Sequence, residues 1–117
     1  MDRVTSFVDD DASITVVLRE DDLLEKAFLR VWRILRSKGD DYEGDRPFGA
    51  TFDAVGDTVG LSAHRVADMF EMTKLDRIRN LLRPGNSVVK HESVEDSYLD
   101  KAAYAMLAFA LYLRDNR

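Results

Sequence analysis

Residues 91–113, HESVEDSYLDKAAYAMLAFALYL, carry the pattern on which the architecture turns. Glu92, Asp96 and Asp100 recur every fourth residue, and the same line continues through Ala103, Leu107 and Leu111, so one face of a helix passes from carboxylates into core. The uncharged run from Ala102 to Leu113 is twelve residues long. A bilayer needs roughly 20, so the run is not a membrane span. It is apolar on every side and must be covered on every side, which predicts a central helix, about Ser93 to Arg114, that also makes a subunit contact.

Upstream, Ser62 is placed to cap a long helix reaching about Leu82, closed by Arg83-Pro84-Gly85. At 100° per residue Ala67, Phe70, Ile78, Leu81 and Leu82 share one face of it, with Lys74 near the middle and Glu71 on the same side. Asp68, Asp76, Arg79 and Arg83 fall on the outer face. A shorter helix is expected from Phe48 to Val59, where Phe48, Phe52, Val55 and Val59 are spaced by three and four. There Gly60 is a stop, Gly49 precedes the helix proper and Gly56 is an interior liability.

The first helix begins at Asp22, which forms a capping-box pattern with Glu25, and its apolar stripe is Leu24, Ala27, Phe28, Val31, Ile34 and Leu35. Lys26, Arg30, Arg33 and Arg36 face the other way, as solvated surface or as a face for an anionic partner. Lys38-Gly39 is expected to end this helix and KGDDYEGDRP to form a polar loop. Before it, Val4–Val8 and Ile14–Leu18 are β-prone runs either side of DDDAS, so residues 1–21 read as an acidic leader or a small hairpin. The prediction is an all-α four-helix bundle over residues 22–117, with that hairpin as an optional addition.

Composition narrows the chemistry. One hundred and seventeen residues make one domain, and with no cysteine and two distant histidines there is no disulfide, thiolate zinc site or cysteine nucleophile. The net charge of -5 lies at the front: residues 1–22 hold seven acids and two arginines, and the remainder fifteen of each sign. A balanced body with an acidic leader does not suit the phosphates of duplex DNA or RNA. No basic start precedes an apolar run, so neither signal nor transit peptide is seen and a cytoplasmic protein is expected.

The charges on the core faces therefore attract the chemistry. Isolated buried charges cost several kcal/mol each, so they must be paired, neutralised or bound to a cation. One solution is a plain inter-helix salt bridge from Lys74 to Asp96 or Asp100. The other is a metal site: Glu71, Glu92, Asp96 and Asp100 around one lysine leave excess negative charge, which attracts Mg²⁺ with open positions for phosphate oxygens. Arg77 could meet a phosphate with its fork. In the loop, Tyr42 could stack on a base while Asp41 and its acidic neighbours accept from ribose or base edges. Tyr104, one turn beyond Asp100, could orient a carboxylate or simply pack.

Three segments in this order, KGDDYEG, TKLDRIRNL and HESVEDSYLDKAAYA, resemble the MazG-like all-α nucleotide pyrophosphatase superfamily, in particular its phage-associated nucleotide-modification branch. The resemblance covers about residues 22–114. It implies a four-helix MazG-like bundle, a homodimer or homotetramer, and Mg²⁺-dependent hydrolysis of noncanonical or excess nucleoside triphosphates to monophosphate and pyrophosphate. The superfamily pattern is Glu-x-x-Glu on one helix and Glu-x-x-Asp on the next. Here the first is Glu71-Met72-Thr73-Lys74, and three residues before Asp100 stands Ser97, with Asp96 one earlier. Both halves are altered, so the resemblance supports a nucleotide site more strongly than turnover.

Three functions follow as expectations. In the first, Glu71, Asp96 and Asp100 hold Mg²⁺, Lys74 and Arg77 neutralise phosphate, and a water activated by the metal attacks, with no protein nucleophile. In the second, the same scaffold binds or sequesters a nucleotide without chemistry. In the third, the chain is a phage-derived oligomeric interaction protein whose charges only lock the bundle.

Overall fold

A computed structural model describes the backbone of residues 2–8, 13–19, 22–85 and 91–117, and the side chains of 22–37, 44–85 and 93–117. Four helices make up the body: α1 (Leu23–Glu43), α2 (Ala50–Val59), α3 (Ala63–Leu81) and α4 (His91–Asp115). The architecture is the all-α four-helix bundle that the periodicities predict. Ahead of it, β1 (Asp2–Val8) and β2 (Ser13–Arg19) pair antiparallel, Asp2 opposite Arg19 and Val8 opposite Ser13. The hairpin's side chains lie outside the described residues.

α3 and α4 form the spine. His64 meets Tyr112 ring to ring, Glu71 meets Lys101 and Lys74 meets Asp100. Numbers rise on one helix as they fall on the other, so the two run antiparallel. Ala63 and Ala67 on α3 and Ala108 on α4 are buried in one cluster with Val66, Tyr104 and Leu111, and these small residues let the backbones approach. Phe52 of α2 completes the cluster, and its ring leads through Phe70 to Tyr104 at centroid distances of 5.8 and 5.4 Å. Those tilted and edge-on contacts suit the aromatic quadrupole.

Two glycines fix how α2 joins this spine. Gly56 sits where a Cβ would collide with the Leu61 carbonyl, and its own carbonyl accepts from the amides of Gly60 and Leu61, so the interior glycine is a close-approach site. Gly60 then stops the helix in the left-handed region at φ 77°. At the other end, Arg114 of α4 grips α2: its guanidinium donates to both Asp53 carboxylate oxygens, at 2.8 and 3.1 Å, and to the Phe48 carbonyl at 3.0 Å. A Cβ on Gly49 would collide with that guanidinium and with Leu111. The hydrogen bonds to Asp53, then to Asp115, raise the Arg114 pKa above its ordinary value. The bond from Arg114 holds Asp115 below the usual carboxylate range, so this link is present at neutral pH and is lost as pH falls through the lowered pKa.

One helix boundary differs from expectation, as do a few side chains. α1 does not end at Lys38-Gly39 but continues to Glu43, so most of the expected polar loop is helix. One interior glycine costs about 1 kcal/mol, too little to stop a helix; Gly44, at φ 54°, follows its last residue. The Asp22 carboxylate does accept from the Glu25 amide at 3.0 Å, the cap the sequence predicts. Of the expected core stripe Phe28, Val31, Ile34 and Leu35 are buried or half-buried, but Leu24, near the helix start, is 79% exposed and Ala27 is exposed, while Leu29, on the opposite side of α1, is buried as well. Ser62 precedes α3 in extended conformation without capping through its side chain; the hydroxyl lies 3.4 Å from His64 Nδ1, which competes for it. Leu82, also placed in the core, lies beyond α3 and is exposed.

Among the described residues no helix is long and apolar enough to cross a membrane. Two substitutions in the spine should have unequal costs in urea denaturation. Leu111→Ala should lose about 2–5 kcal/mol by opening a cavity. Gly56→Ala should lose about 1–3 kcal/mol by overpacking. A neutral Gly56→Ala would show that the α2–α3 junction is looser than described.

Candidate functional site

Next to the Phe70–Tyr104 contact a charged layer interrupts the apolar packing of α3 and α4, and Ile78 is buried again one turn beyond it on α3. Lys74, the interior lysine of α3, places Nζ 3.2 Å from Asp100 Oδ2, with side chains 24% and 20% exposed. One turn earlier on α3, Glu71 Oε2 lies 3.8 Å from Lys101 Nζ, at 25% and 32% exposure. The two pairs have opposite sense: α3 supplies first an acid and then a base, and α4 answers each with the other sign. Their position follows from the pattern, because an inward-facing position on each of two antiparallel helices meets across the seam.

The remaining predicted residues divide. Asp96 is exposed, whereas Lys74 and Asp100 are partly buried, and the expected four-carboxylate cluster is not assembled among the described residues. Arg77, one turn beyond Lys74, is exposed. The side chains of Asp41, Tyr42 and Glu92 lie outside the described residues; Asp41 and Tyr42 belong to α1 rather than to a loop. Tyr104 is buried with its ring against Phe70. Ser97, which stands where the superfamily pattern has an acid, is buried and donates to the Ser93 carbonyl at 2.7 Å, so its hydroxyl is satisfied within α4.

Two partners were not singled out from the sequence. Lys101 matches Glu71, and Glu95 takes Arg30 of α1 at 3.3 Å. The signal for Lys101 was its place next to Asp100 on α4, mirrored by Glu71 three residues before Lys74 on α3. The basic face of α1 is exposed as expected: Arg30 reaches α4, and Arg36 lies over the Trp32 ring, 5.7 Å from its centroid.

This donor set can be tested against the Mg²⁺ that the resemblance implies. Magnesium dehydrates reluctantly and is commonly held by one or two carboxylates, several waters and substrate phosphates. Glu71 and Asp100 supply two carboxylates at a partly open seam, and Lys74 and Lys101 supply two ammonium groups for the phosphates. The residues fit a cation that arrives with its phosphate. They do not form a preassembled cage of three or more acidic or histidine ligands among the described residues.

Compared with known protein families, with curated proteins and with solved structures, the chain matches none.

Proposed function

We propose that the α3–α4 seam binds the polyphosphate of a nucleoside triphosphate, canonical or modified, and hydrolyses it to monophosphate and pyrophosphate. The observation that carries this reading is the Lys74–Asp100 pair, 3.2 Å apart with both side chains still partly open to solvent. A pair serving packing alone could be replaced by apolar groups at little cost, whereas an accessible ammonium beside an accessible carboxylate can separate to take phosphate and metal.

In this reading Lys74 donates to phosphate oxygens as a compact point charge. Arg77, one turn along α3, adds its fork from the exposed side. Asp100 and Glu71 hold Mg²⁺, with Asp96 and Glu92 further along α4 as additional acids. When bound, Mg²⁺ supplies charge neutralisation on the polyphosphate. Water adds at the α-phosphorus, the bond to the bridging oxygen breaks, and pyrophosphate leaves. Asp41 and Tyr42, near the end of α1, are the proposed contacts to sugar and base. A cytoplasmic location goes with this substrate class.

A second reading keeps the site and drops the chemistry, giving a nucleotide-binding or sequestering module. It is favoured by Lys74 itself, which neutralises Asp100 where the superfamily pattern has another acid. Incubation with canonical and modified nucleoside triphosphates and Mg²⁺, followed by a pyrophosphate assay, separates the two. Turnover by the wild type, lowered at least about a hundredfold in Asp100→Asn, is the expected result, since a lost metal ligand removes several kcal/mol of charge stabilisation. Tight binding without product selects the sequestering module. No nucleotide-induced rise in Tm for any of them would sink both readings.

The subunit contact belongs to the same proposal. Phe109 is 64% exposed, and Tyr98, Met106 and Leu113 are exposed with it on the side of α4 away from Leu111. Contiguous apolar surface of this kind marks an interaction site, and a homodimer or homotetramer covers it with a second copy. Light scattering should give a multiple of 13.3 kDa for the wild type and a single chain for Phe109→Glu with Leu113→Glu. A monomeric wild type would contradict it.

A further inference from the structure

The Glu71–Lys101 pair differs from its neighbour in ways that bear on ligand binding. At 3.8 Å it is beyond direct hydrogen-bond length, whereas Lys74 and Asp100 are at 3.2 Å. Lys101 is also the more exposed of the two lysines. A loose, partly solvated ion pair contributes little to stability, so separating it costs little. The angular positions place it on the flank of the seam, outside the more enclosed Lys74–Asp100 pair.

We infer that Lys101 is a second phosphate ligand at this seam, which exchanges Glu71 for a phosphate oxygen of a polyphosphate anion such as a nucleoside triphosphate or inorganic pyrophosphate. The inference rests on the reading of the seam as a polyphosphate site and assigns the role of an additional residue in it. Before binding, each lysine occupies a carboxylate and the four groups are neutral in sum. On binding, the two ammonium groups turn to phosphate and the two carboxylates are released to the accompanying Mg²⁺. Each ammonium then meets phosphate and each carboxylate meets the metal, so the anion is not held against uncompensated acids. Without Mg²⁺ the released Glu71 opposes the anion, which makes Glu71 a competitor for Lys101.

That competition gives opposite signs for the two partners. Isothermal titration of the full chain with inorganic pyrophosphate should show binding weakened roughly tenfold in Lys101→Gln and largely restored in Lys101→Arg. In Mg²⁺-free buffer Glu71→Gln should instead bind pyrophosphate several-fold more tightly than the wild type, and this gain should vanish when Lys101 is already glutamine. Unliganded melting curves identify any variant that fails to fold, and Lys101→Arg keeps the charge if Lys101→Gln is such a variant. A folded Lys101→Gln, or a folded alanine variant at that position, binding pyrophosphate as the wild type does would overturn the inference and leave the seam intact as a site. A wild type that binds neither pyrophosphate nor any nucleoside triphosphate would overturn both.

Discussion

The antiparallel contact between α3 and α4 is the constraint from which the rest of the molecule follows. Alanines at 63, 67 and 108 bring the two backbones together, and Leu111, Val66 and Tyr104 fill the space between. Once the helices lie this close, any charged residue on the inward faces must find a counter-charge across the seam, because water no longer reaches both sides of it. Lys74 with Asp100 and Glu71 with Lys101 satisfy that requirement.

The seam combines apolar packing with a layer of ion pairs. Toward Ala63 the contact is apolar and braced by α2, whose position is set by the Gly56 approach to Leu61 and by the fork of Arg114 on Asp53. Neither device tolerates much displacement, since one rests on an absent Cβ and the other on a planar bidentate geometry. At Glu71 and Lys74 the filling is ionic and partly open to solvent, and Ile78 is buried beyond it. A charged layer held between apolar ones is an arrangement in which ion partners can exchange without unlocking the fold.

Much of this was legible in the sequence because the helical period is strong. Four helices, the stop at Gly60, the cap at Asp22 and the conflict posed by Lys74 on a core face all came from residue spacing, and the structure contains each of them. What spacing could not supply was the rotation of one helix against another. Residues four apart drift by about 40° around a helix, so the line of Glu92, Asp96 and Asp100 slants; Asp100 faces α3 while Asp96 is exposed. On α1 the stripe from Phe28 to Leu35 does turn inward, and what spacing missed was the exposure of Leu24 near the helix start and the burial of Leu29 on the other side. Lys101 was missed because it is an ordinary surface residue until α3 is laid beside it with Glu71 opposite. The extension of α1 to Glu43 was hidden by Gly39, a weak breaker taken for a strong one.

In the proposed reading the charged layer of the seam serves a ligand rather than the stability of the fold. Replacing Lys74 by Met and Asp100 by Leu together removes the ion pair without leaving a lone buried charge, a type of exchange that is often neutral or stabilising. The decisive measurement is the affinity of this double variant for a Mg²⁺-bound nucleoside triphosphate, taken alongside its melting temperature. The account predicts an unchanged or raised Tm with nucleotide binding lost. A double variant that melts like the wild type and still binds nucleotide as tightly would show that the pair is only a fastening between two helices.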